Sequence, residues 1–218
     1  MPIQVLQLEN GDLAENCYFL WKDGSNEALV FDPGDEAPRL LSELKKRNLT
    51  PVAFVQTHCH CDHIGALTEM KAAFPAAPLY VPEAEKEWLK RPTMNLSVFM
   101  GRPITGPDPD ILVKHEDVLE LAGVKLKAIL VPGHSPGGTA YYVEDSEAKK
   151  SHLICGDILF QGGIGRTDFP GSAGSEALIE GIRDFLFCLP NETIVYPGHG
   201  AETTIGEEKE TNPFCGLG

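Results

Sequence analysis

Thr57-His58-Cys59-His60-Cys61-Asp62-His63 (THCHCDH, residues 57–63) holds three of the chain's seven histidines and one aspartate within six positions. Imidazole and carboxylate side chains are common ligands of divalent metals. Because alternate residues of an extended segment point the same way, we expect His58 and His60 to bind one ion, while Asp62 and His63 turn toward a neighbouring position. The spacing therefore predicts a site for two metal ions, which in such sites lie about 3.5 to 4 Å apart.

The quoted stretch lies between a predicted strand and a predicted helix. VAFVQT (52–57) is an apolar, β-branched run too short for a helix, and IGALTEMKAAF (64–74) has helical spacing until Pro75. In sheets flanked by helices, ligands collect beyond the carboxyl ends of strands, where loops can carry polar side chains. The stretch is thus placed where a functional site is expected.

Three more candidate ligands follow predicted strands in the second half of the chain. They are His134 after VKLKAILVPG (124–133), Asp157 at the end of SHLICGD (151–157), and His199 after TIVYPG (193–198). Both histidines lie in tight glycine-proline turns, which hold a side chain at a fixed bend, whereas Asp157 could instead cap a turn. His115 and His152 are interpreted as ordinary surface or hydrogen-bonded side chains.

The six cysteines are scattered along a chain that has no secretory signal, which favours reduced thiols over a disulfide framework. Cys59 and Cys61 alternate with histidines, so a small Cys/His zinc site has to be considered. No second cluster of cysteine or histidine pairs completes such a site. Both cysteines have the opposite strand parity to His58 and His60, so we expect them to face away and pack.

Composition describes one globular domain over residues 1–218, with 42% hydrophobic and 23% charged residues. The formal net charge of −14 argues against a nucleic-acid partner and an anionic membrane surface. The densest basic run, Lys45-Lys46-Arg47, lies on a predicted solvent-facing helix. The first residues form neither a signal peptide nor a membrane span, so we expect a cytoplasmic protein. The oligomeric state stays open.

The remaining predicted elements alternate between strands and helices. The strands are IQVLQL (3–8), CYFLW (17–21) and EALVF (27–31), the last two joined by a turn at Asp23-Gly24; the helices are APRLLSELKKRN (37–48) and SEALIEGIRDFLFCL (175–189). Residues 91–110 are rich in glycine, proline and apolar residues without a period. This segment is interpreted as a loop that either walls a substrate groove or is a structural connection.

The motif at residues 57–63, followed in order by His134, Asp157 and His199, resembles the metallo-β-lactamase superfamily over nearly the whole chain. The resemblance implies an α+β fold, a four-layer αββα sandwich with a binuclear site along one edge. It also implies the ligand sets: His58, His60 and His134 for the first metal, Asp62, His63 and His199 for the second, and Asp157 as the bridge.

Within the superfamily, GDILF (156–160), GGIGRTDFPG (162–171) and YPGHG (196–200) resemble the short bacterial glyoxalase II type, hydrolases of hydroxyacyl-glutathione thioesters. Persulfide dioxygenases share the GRTDF element but carry alanine and aspartate where this chain has Gly198 and Gly200. Longer glyoxalase II enzymes add a C-terminal helical domain that holds glutathione, and only 19 residues follow His199 here (218 minus 199). How glutathione is held therefore stays open.

The activity implied is hydrolysis of S-lactoylglutathione to D-lactate and glutathione by a metal-bridging hydroxide that Asp62 orients. Two divalent ions per chain are expected, zinc first, with iron or manganese as alternatives for the same ligands. The alternatives are a persulfide dioxygenase with one iron, a lactonase or other ester hydrolase of the superfamily, and a non-catalytic or electron-transfer module. All seven ligands are present, which disfavours the last. A nuclease of the superfamily would need a basic groove, which the net charge of −14 disfavours.

Arg166 lies nine residues beyond Asp157 and is the candidate substrate-binding residue. In longer glyoxalase II proteins, a basic residue at the matching place contacts glutathione, and a guanidinium can hold a carboxylate through paired hydrogen bonds. The competing interpretation is structural, an ion pair between Arg166 and Asp168.

Overall fold

The first half of the chain folds into a six-stranded sheet. The computed structural model describes residues 1–218. In sheet order, the strands are β1 (Ile3–Asn10), β2 (Glu15–Lys22), β3 (Glu27–Phe31), β4 (Thr50–Val55), β5 (Leu79–Pro82) and β6 (Ile111–Val113). The first three strands pair antiparallel and the last four pair parallel, so β3 belongs to both arrangements.

The second half supplies another sheet and a small hairpin. Its strands are β7 (Val118–Leu121), β8 (Val124–Leu130), β9 (Thr139–Asp145), β10 (Lys150–Gly156), β11 (Leu159–Phe160), β12 (Gly163–Ile164), β13 (Ile194–Pro197) and β14 (Thr203–Thr204). The sheet runs in the order β14-β13-β10-β9-β8-β7, and only β10 and β13 pair parallel. β11 and β12 form a separate two-stranded hairpin.

Five short α-helices connect the strands. They are α1 (Ala37–Lys46), α2 (Cys61–Ile64), α3 (Leu67–Ala73), α4 (Ser175–Gly181), which continues into a π-helical turn over Ile182–Leu186, and α5 (Ile205–Thr211). Single 3₁₀ turns cover Glu83–Glu85, Trp88–Lys90 and Ser97–Met100. No helix is long and apolar enough to cross a membrane.

Three apolar cores separate four layers. One core lies between the two sheets, and it includes Tyr18 and Leu20 of β2 together with Tyr141 of β9. The alternate residues of β2, Cys17 and Phe19, point the other way and pack against α1 and α3. A third core joins the outer face of the second sheet to α4 and α5. This arrangement confirms the predicted α+β, four-layer αββα sandwich.

The predicted elements differ from the observed ones mainly at their ends. The helix predicted over 64–74 begins three residues earlier, at Cys61, and is interrupted before Leu67. The helix predicted over 175–189 ends its α-helical part at Gly181. Strands β5, β6, β7 and β9 and the two-residue strands were not predicted, because runs this short or this mixed in polarity carry little periodic signal.

Candidate metal centre

All seven predicted ligands meet at one edge of the sandwich. Their loops follow the carboxyl ends of four strands, β4, β8, β10 and β13. The first triad consists of His58, His60 and His134, and the second triad consists of Asp62, His63 and His199; the potential ligand atoms of each triad lie within 4.8 Å of one another. Residues 70 to 140 positions apart in sequence are thus brought to one place, as expected from the strand ends.

The first triad has the spacing of a metal site. Nε2 of His134 lies 2.9 Å from Nδ1 of His60 and 3.3 Å from Nε2 of His58. Three nitrogens around one zinc ion at 2.0 to 2.1 Å in tetrahedral geometry would lie about 3.3 Å apart. Burial lowers the pKa of all three imidazoles, that of His60 to about 3, so they are neutral near pH 7 with lone pairs available.

Backbone and side-chain partners fix the orientation of these rings. Nδ1 of His134 donates a hydrogen bond to the carbonyl of Arg166, at 2.7 Å. Because a neutral imidazole carries one proton, this bond leaves Nε2 of His134 as the lone-pair nitrogen that faces the other two rings. His58 is held from behind in the same way, with its Nδ1 3.1 Å from the hydroxyl of Thr57.

The second triad adjoins the first, since the ring centres of His58 and His63 lie 4.1 Å apart. Nε2 of His199 is 3.2 Å from Oδ2 of Asp62, and Nε2 of His63 is 3.9 Å from the same oxygen. Nδ1 of His199 donates to the carbonyl of Leu13, at 3.1 Å, which directs Nε2 inward. Asp62 and His63 can both reach this position because α2 starts at Cys61, so the chain turns helically directly after His60.

Asp157 lies between the triads. Its Oδ1 is 3.4 Å from Nε2 of His63, and its Oδ2 is 3.5 Å from Nε2 of His134 and 3.7 Å from Nε2 of His199. Oδ1 of Asp157 and Nε2 of His63 are buried and have no hydrogen-bond partner. Buried polar atoms are rarely left unpaired, and a cation between them would satisfy both. The residues therefore fit a two-metal centre in which this carboxylate faces both ions.

Charge is unevenly shared between the triads. Burial alone would lower the pKa of His63, but the carboxylates of Asp62 and Asp157 raise it well above its usual value. The pKa of His199 is likewise raised, burial being outweighed by Asp62 and Asp157. For Asp62 and Asp157, burial alone would raise the pKa, yet the neighbouring histidines lower it. The second triad thus attracts protons where the first does not.

Asp32 is a buried residue of the site that sequence reasoning missed. One of its oxygens accepts from the backbone N–H of Thr57 at 2.7 Å, and the other accepts from the Thr57 hydroxyl at 2.5 Å and from Nδ1 of His63 at 3.1 Å. Asp32 has a φ of 44°, which is uncommon outside glycine. It fixes the tautomer of His63 so that Nε2 faces the metal side. The available signal was its place after β3, in the turn sequence Asp-Pro-Gly.

Glu85 was also missed, and it joins the two loops that carry the first triad. Its side chain is fully buried, and its oxygens accept from the backbone N–H of Cys59 at 2.6 Å and of Gly137 at 2.8 Å. Cys59 stands between two ligands, and Gly137 follows His134 by three residues. No sequence pattern marked Glu85, since it lies in a short polar 3₁₀ turn that resembles a surface segment.

The two cysteines of the motif have different surroundings. Cys59 is buried in the core beneath the first sheet, as expected from its parity. Cys61 is also buried, but it lines the cavity above the site, so the expectation that it faces away was wrong. The parity argument fails because the extended segment ends at His60. Burial raises the pKa of the Cys61 thiol to about 11, so it is a neutral thiol rather than a thiolate ligand.

A cavity of about 640 Å³ opens above the ligands. Leu96, Phe99 and Met100 form part of its wall, so the predicted loop over residues 91–110 does border the site. Arg166 also lines the cavity and forms a two-bonded ion pair with Asp168, at 2.8 and 3.0 Å. Both possibilities considered for Arg166 are therefore compatible with its place, since an exposed ion pair at a cavity rim can exchange partners.

The two remaining histidines lie apart from the triads. His152 is buried and has its Nδ1 3.1 Å from the hydroxyl of Tyr196, against whose ring it stacks. His115 accepts a hydrogen bond from the backbone N–H of Leu130. Each has an ordinary structural environment.

Comparison with known proteins places this centre in a family. The model of the metallo-beta-lactamase superfamily matches residues 10–199. The chain is 40% identical over 205 residues to the probable metallo-hydrolase YqgX of Bacillus subtilis, covering 94% of this chain and 93% of that protein. It is 37% identical over 202 residues to the hydroxyacylglutathione hydrolase GloC of Haemophilus influenzae, covering 92% of each.

Solved structures are similar over the same extent. The BLEG-1 B3 metallo-beta-lactamase superposes with a TM-score of 0.91 at 40% identity, covering 99% of this chain and 100% of that one. A di-iron-bound form of TTHA1623 superposes with a TM-score of 0.82 at 33% identity, covering 96% and 99%. The match spans both sheets and every loop that carries a candidate ligand.

Proposed function

The chain belongs to the metallo-beta-lactamase superfamily and is a metal-dependent hydrolase of that superfamily, and we propose that its substrates are glutathione thioesters, with S-lactoylglutathione as the reference substrate. The observation that carries the proposal is the pair of triads meeting at Asp157, with Asp62 at the cavity floor. Similarity to GloC supports glutathione thioesters over other acyl substrates.

In the proposed reaction, water adds to the thioester carbonyl, the carbon–sulfur bond breaks, and a carboxylic acid and a thiol are released. The first triad would hold one metal ion, the second triad the other, and Asp157 would face both. Bound there, two divalent ions would polarise the carbonyl and acidify a water. Zinc is the proposed metal, with iron or manganese accepted by the same ligands, and the di-iron neighbour supports iron as an alternative.

Asp62 is proposed to orient the attacking water. Its carboxylate is ionised near neutral pH because the histidines around it lower its pKa despite burial. His199 fixes one of its oxygens at 3.2 Å, and the side chain lines the cavity floor. A carboxylate held in this way can accept a hydrogen bond from water and set the direction of its lone pair. Asp62 would thus act both as ligand and as orienting group.

Arg166 is proposed to contact a carboxylate of glutathione. Its guanidinium is exposed at the cavity rim, and it lies 4.4 Å from the centre of the Phe169 ring, which limits its directions. A substrate carboxylate would replace Asp168 as the partner of the same paired nitrogens.

Gly198 supports hydrolysis over the persulfide dioxygenase alternative. A Cβ atom at this position would lie 2.2 Å from Oδ1 of Asp157 and 2.8 Å from Cε1 of His63. Alanine, which persulfide dioxygenases carry there, would push on the bridging carboxylate and on a ligand of the second triad. The glycine of this chain leaves both free for a second ion.

The deciding experiment is anaerobic incubation of metal-loaded protein with S-lactoylglutathione, followed by detection of free thiol. Glutathione persulfide with oxygen and the β-lactam nitrocefin are run alongside, the latter because BLEG-1 is a B3 metallo-beta-lactamase. We expect oxygen-independent thiol release that is lost in Asp157→Ala and His60→Ala together with bound metal. Turnover of persulfide that strictly needs oxygen, without thioester hydrolysis, would favour the dioxygenase; turnover of nitrocefin alone would favour a lactamase.

A further inference from the structure

The cavity above the metal centre has polar groups almost only at its floor. Candidate ligands of both triads form that floor. The walls are apolar and include Leu13, Leu96, Phe99, Phe160, Ile164 and Phe169. Apart from the ligands, Arg166 is the only charged lining residue, and it is already paired with Asp168.

Several wall residues are large apolar side chains left open to solvent. Phe99 is 72% exposed, Met100 51% and Leu13 45%. They come from two segments, the turn between β1 and β2 and the 3₁₀ turn Ser97–Met100, and the β11–β12 hairpin adds Phe160 and Ile164 to the same cavity. Single exposed apolar residues are ordinary, but a contiguous group around the mouth of a cavity marks a surface that is covered when ligand binds.

These walls favour an acyl group with more hydrocarbon than lactoyl. The lactoyl hydroxyl is on the carbon next to the reacting carbonyl, near the polar floor, and lactoyl has only one methyl group to place against the walls. A chain of methylene groups or an aromatic ring, by contrast, would cover Phe99, Phe160 and Phe169 and release water from them.

A second, more polar pocket of about 260 Å³ adjoins the first. It shares Leu13, Cys61, Asp62 and Met100 with the main cavity. Its other lining residues include Asp12, Asp35 and Arg102. Arg102 pairs with Asp35 at 3.4 Å, and the other charged residues of this pocket are acidic, so the apolar space beside the reaction centre is the main cavity.

We propose that the acyl half of the substrate is an apolar chain or ring larger than lactoyl, seated in the main cavity against Phe99 and Phe160, with the thiol half at the rim where Arg166 lies. This inference rests on the proposed thioester hydrolysis and specifies its acyl group. Chain length then sets reactivity, because each methylene placed in the cavity is removed from water.

The test is a series of glutathione thioesters that differ only in the acyl group: acetyl, propanoyl, D-lactoyl, butanoyl and hexanoyl. With zinc-loaded protein, we expect kcat/KM to rise about fourfold for each added methylene, or about 200-fold from acetyl to hexanoyl. D-lactoyl and propanoyl carry the same carbon chain, and we expect hexanoyl to exceed both. A flat series, or D-lactoyl faster than hexanoyl, overturns the inference.

Two variants link the series to the cavity. Phe99→Ala should lower the hexanoyl to acetyl ratio by about fivefold or more, as expected for an apolar anchor. Phe99 is mostly exposed, so its loss should leave folding intact. The matched control is Phe185→Ala, another exposed phenylalanine, which packs near His115 outside the cavity and should leave the ratio unchanged. An unchanged ratio in Phe99→Ala also counts against the inference.

Failure of this inference is distinguishable from failure of the proposed function. If no thioester of the series is hydrolysed, the proposed thioester hydrolysis itself is wrong. If all are hydrolysed at similar kcat/KM, hydrolysis stands and only the apolar acyl site is rejected.

Discussion

Replacing Glu85 by alanine should destabilise the protein strongly and loosen the metal centre, although Glu85 contacts no candidate ligand side chain. Its carboxylate accepts two buried backbone N–H groups, those of Cys59 and Gly137, from the two loops of the first triad. Each buried donor left without an acceptor costs about 1 to 3 kcal/mol. Glu85→Ala should therefore lower the free energy of unfolding by roughly 2 to 6 kcal/mol.

Glu85→Gln separates hydrogen bonding from charge. The amide retains one carbonyl oxygen, which can serve only one of the two loops, and its NH₂ group faces the other donor. We expect about half of the loss seen with alanine. The control is Glu83→Ala in the same 3₁₀ turn: Glu83 is half-exposed and pairs with Lys114 at 3.3 Å, so its loss should change stability by less than about 1 kcal/mol.

The assay is urea denaturation of the metal-free protein in excess chelator, followed by zinc titration of each folded variant. Groups that hydrogen-bond a ligand side chain typically change metal affinity by about 10- to 100-fold; Glu85 holds only the backbone of the ligand loops, so we expect zinc binding to weaken by about 10-fold. An unfolding midpoint and slope like those of the unmodified chain in Glu85→Ala would refute the idea that this carboxylate ties the loops together.

The pH dependence of the same comparison has a defined sign. Burial raises the pKa of Glu85 above its unfolded value. A carboxyl whose pKa is raised in the folded state contributes most to the free energy of unfolding below its pKa in the unfolded chain, about 4.3. This contribution to stability declines as the pH rises through the pKa of the folded state. Because glutamine does not titrate, the stability difference between the unmodified chain and Glu85→Gln should narrow as the pH rises in this window. A difference that widens would contradict burial as the dominant influence.

Three further predictions concern the ligands and the cavity rim. Gly198→Ala should displace Asp157 and reduce the metal content, measured by mass spectrometry, from two ions toward one per chain. The control Gly163→Ala, where the nearest atom to an added Cβ is 3.7 Å away, should retain both ions, and equal metal content in the two variants would argue against the close approach at Gly198. Arg166→Met should raise KM for glutathione thioesters about tenfold, with little change in melting temperature because the Arg166–Asp168 ion pair is two-thirds exposed. A lower melting temperature with KM unchanged would instead assign Arg166 a structural role. Binding of a metal ion to the second triad should release protons near pH 7, since the pKa values of His63 and His199 are raised, whereas binding to the first triad should release almost none because the pKa values of its histidines are lowered. Calorimetry in buffers of different ionisation enthalpy counts the released protons, and equal proton release on binding of the first and second ions would contradict this difference between the triads.

The candidate histidine ligands could be picked out because they lie in local patterns. His58 and His60 alternate in an extended segment, and His134 and His199 lie in glycine-proline turns after apolar strands. Asp62 and His63 can both belong to the second triad because a helix starts at Cys61, three residues before the start that was predicted from the sequence. The same displacement explains why Cys61 was wrongly expected to pack away from the site.

The supporting residues could not be found in this way. Asp32 accepts a hydrogen bond from Thr57, 25 residues further along the chain, and Glu85 accepts one from Cys59, 26 residues back. Their role therefore depends on which strands become neighbours. Strand order is a long-range property, and the parallel order of β3, β4 and β5 is what brings these side chains beneath the motif. Local periodicity carries no information about it.

Each triad combines residues from loops of both sheets: the motif at residues 57–63 follows a strand of the first sheet, and His134, Asp157 and His199 follow strands of the second. Neither half of the chain contains all three residues of either triad. An ion held by either of these two triads would therefore need the two halves of the chain to have closed on one another. Since the same ligand types accept several metals according to supply, the metals available at the place and time of that closure would decide which ion the site holds.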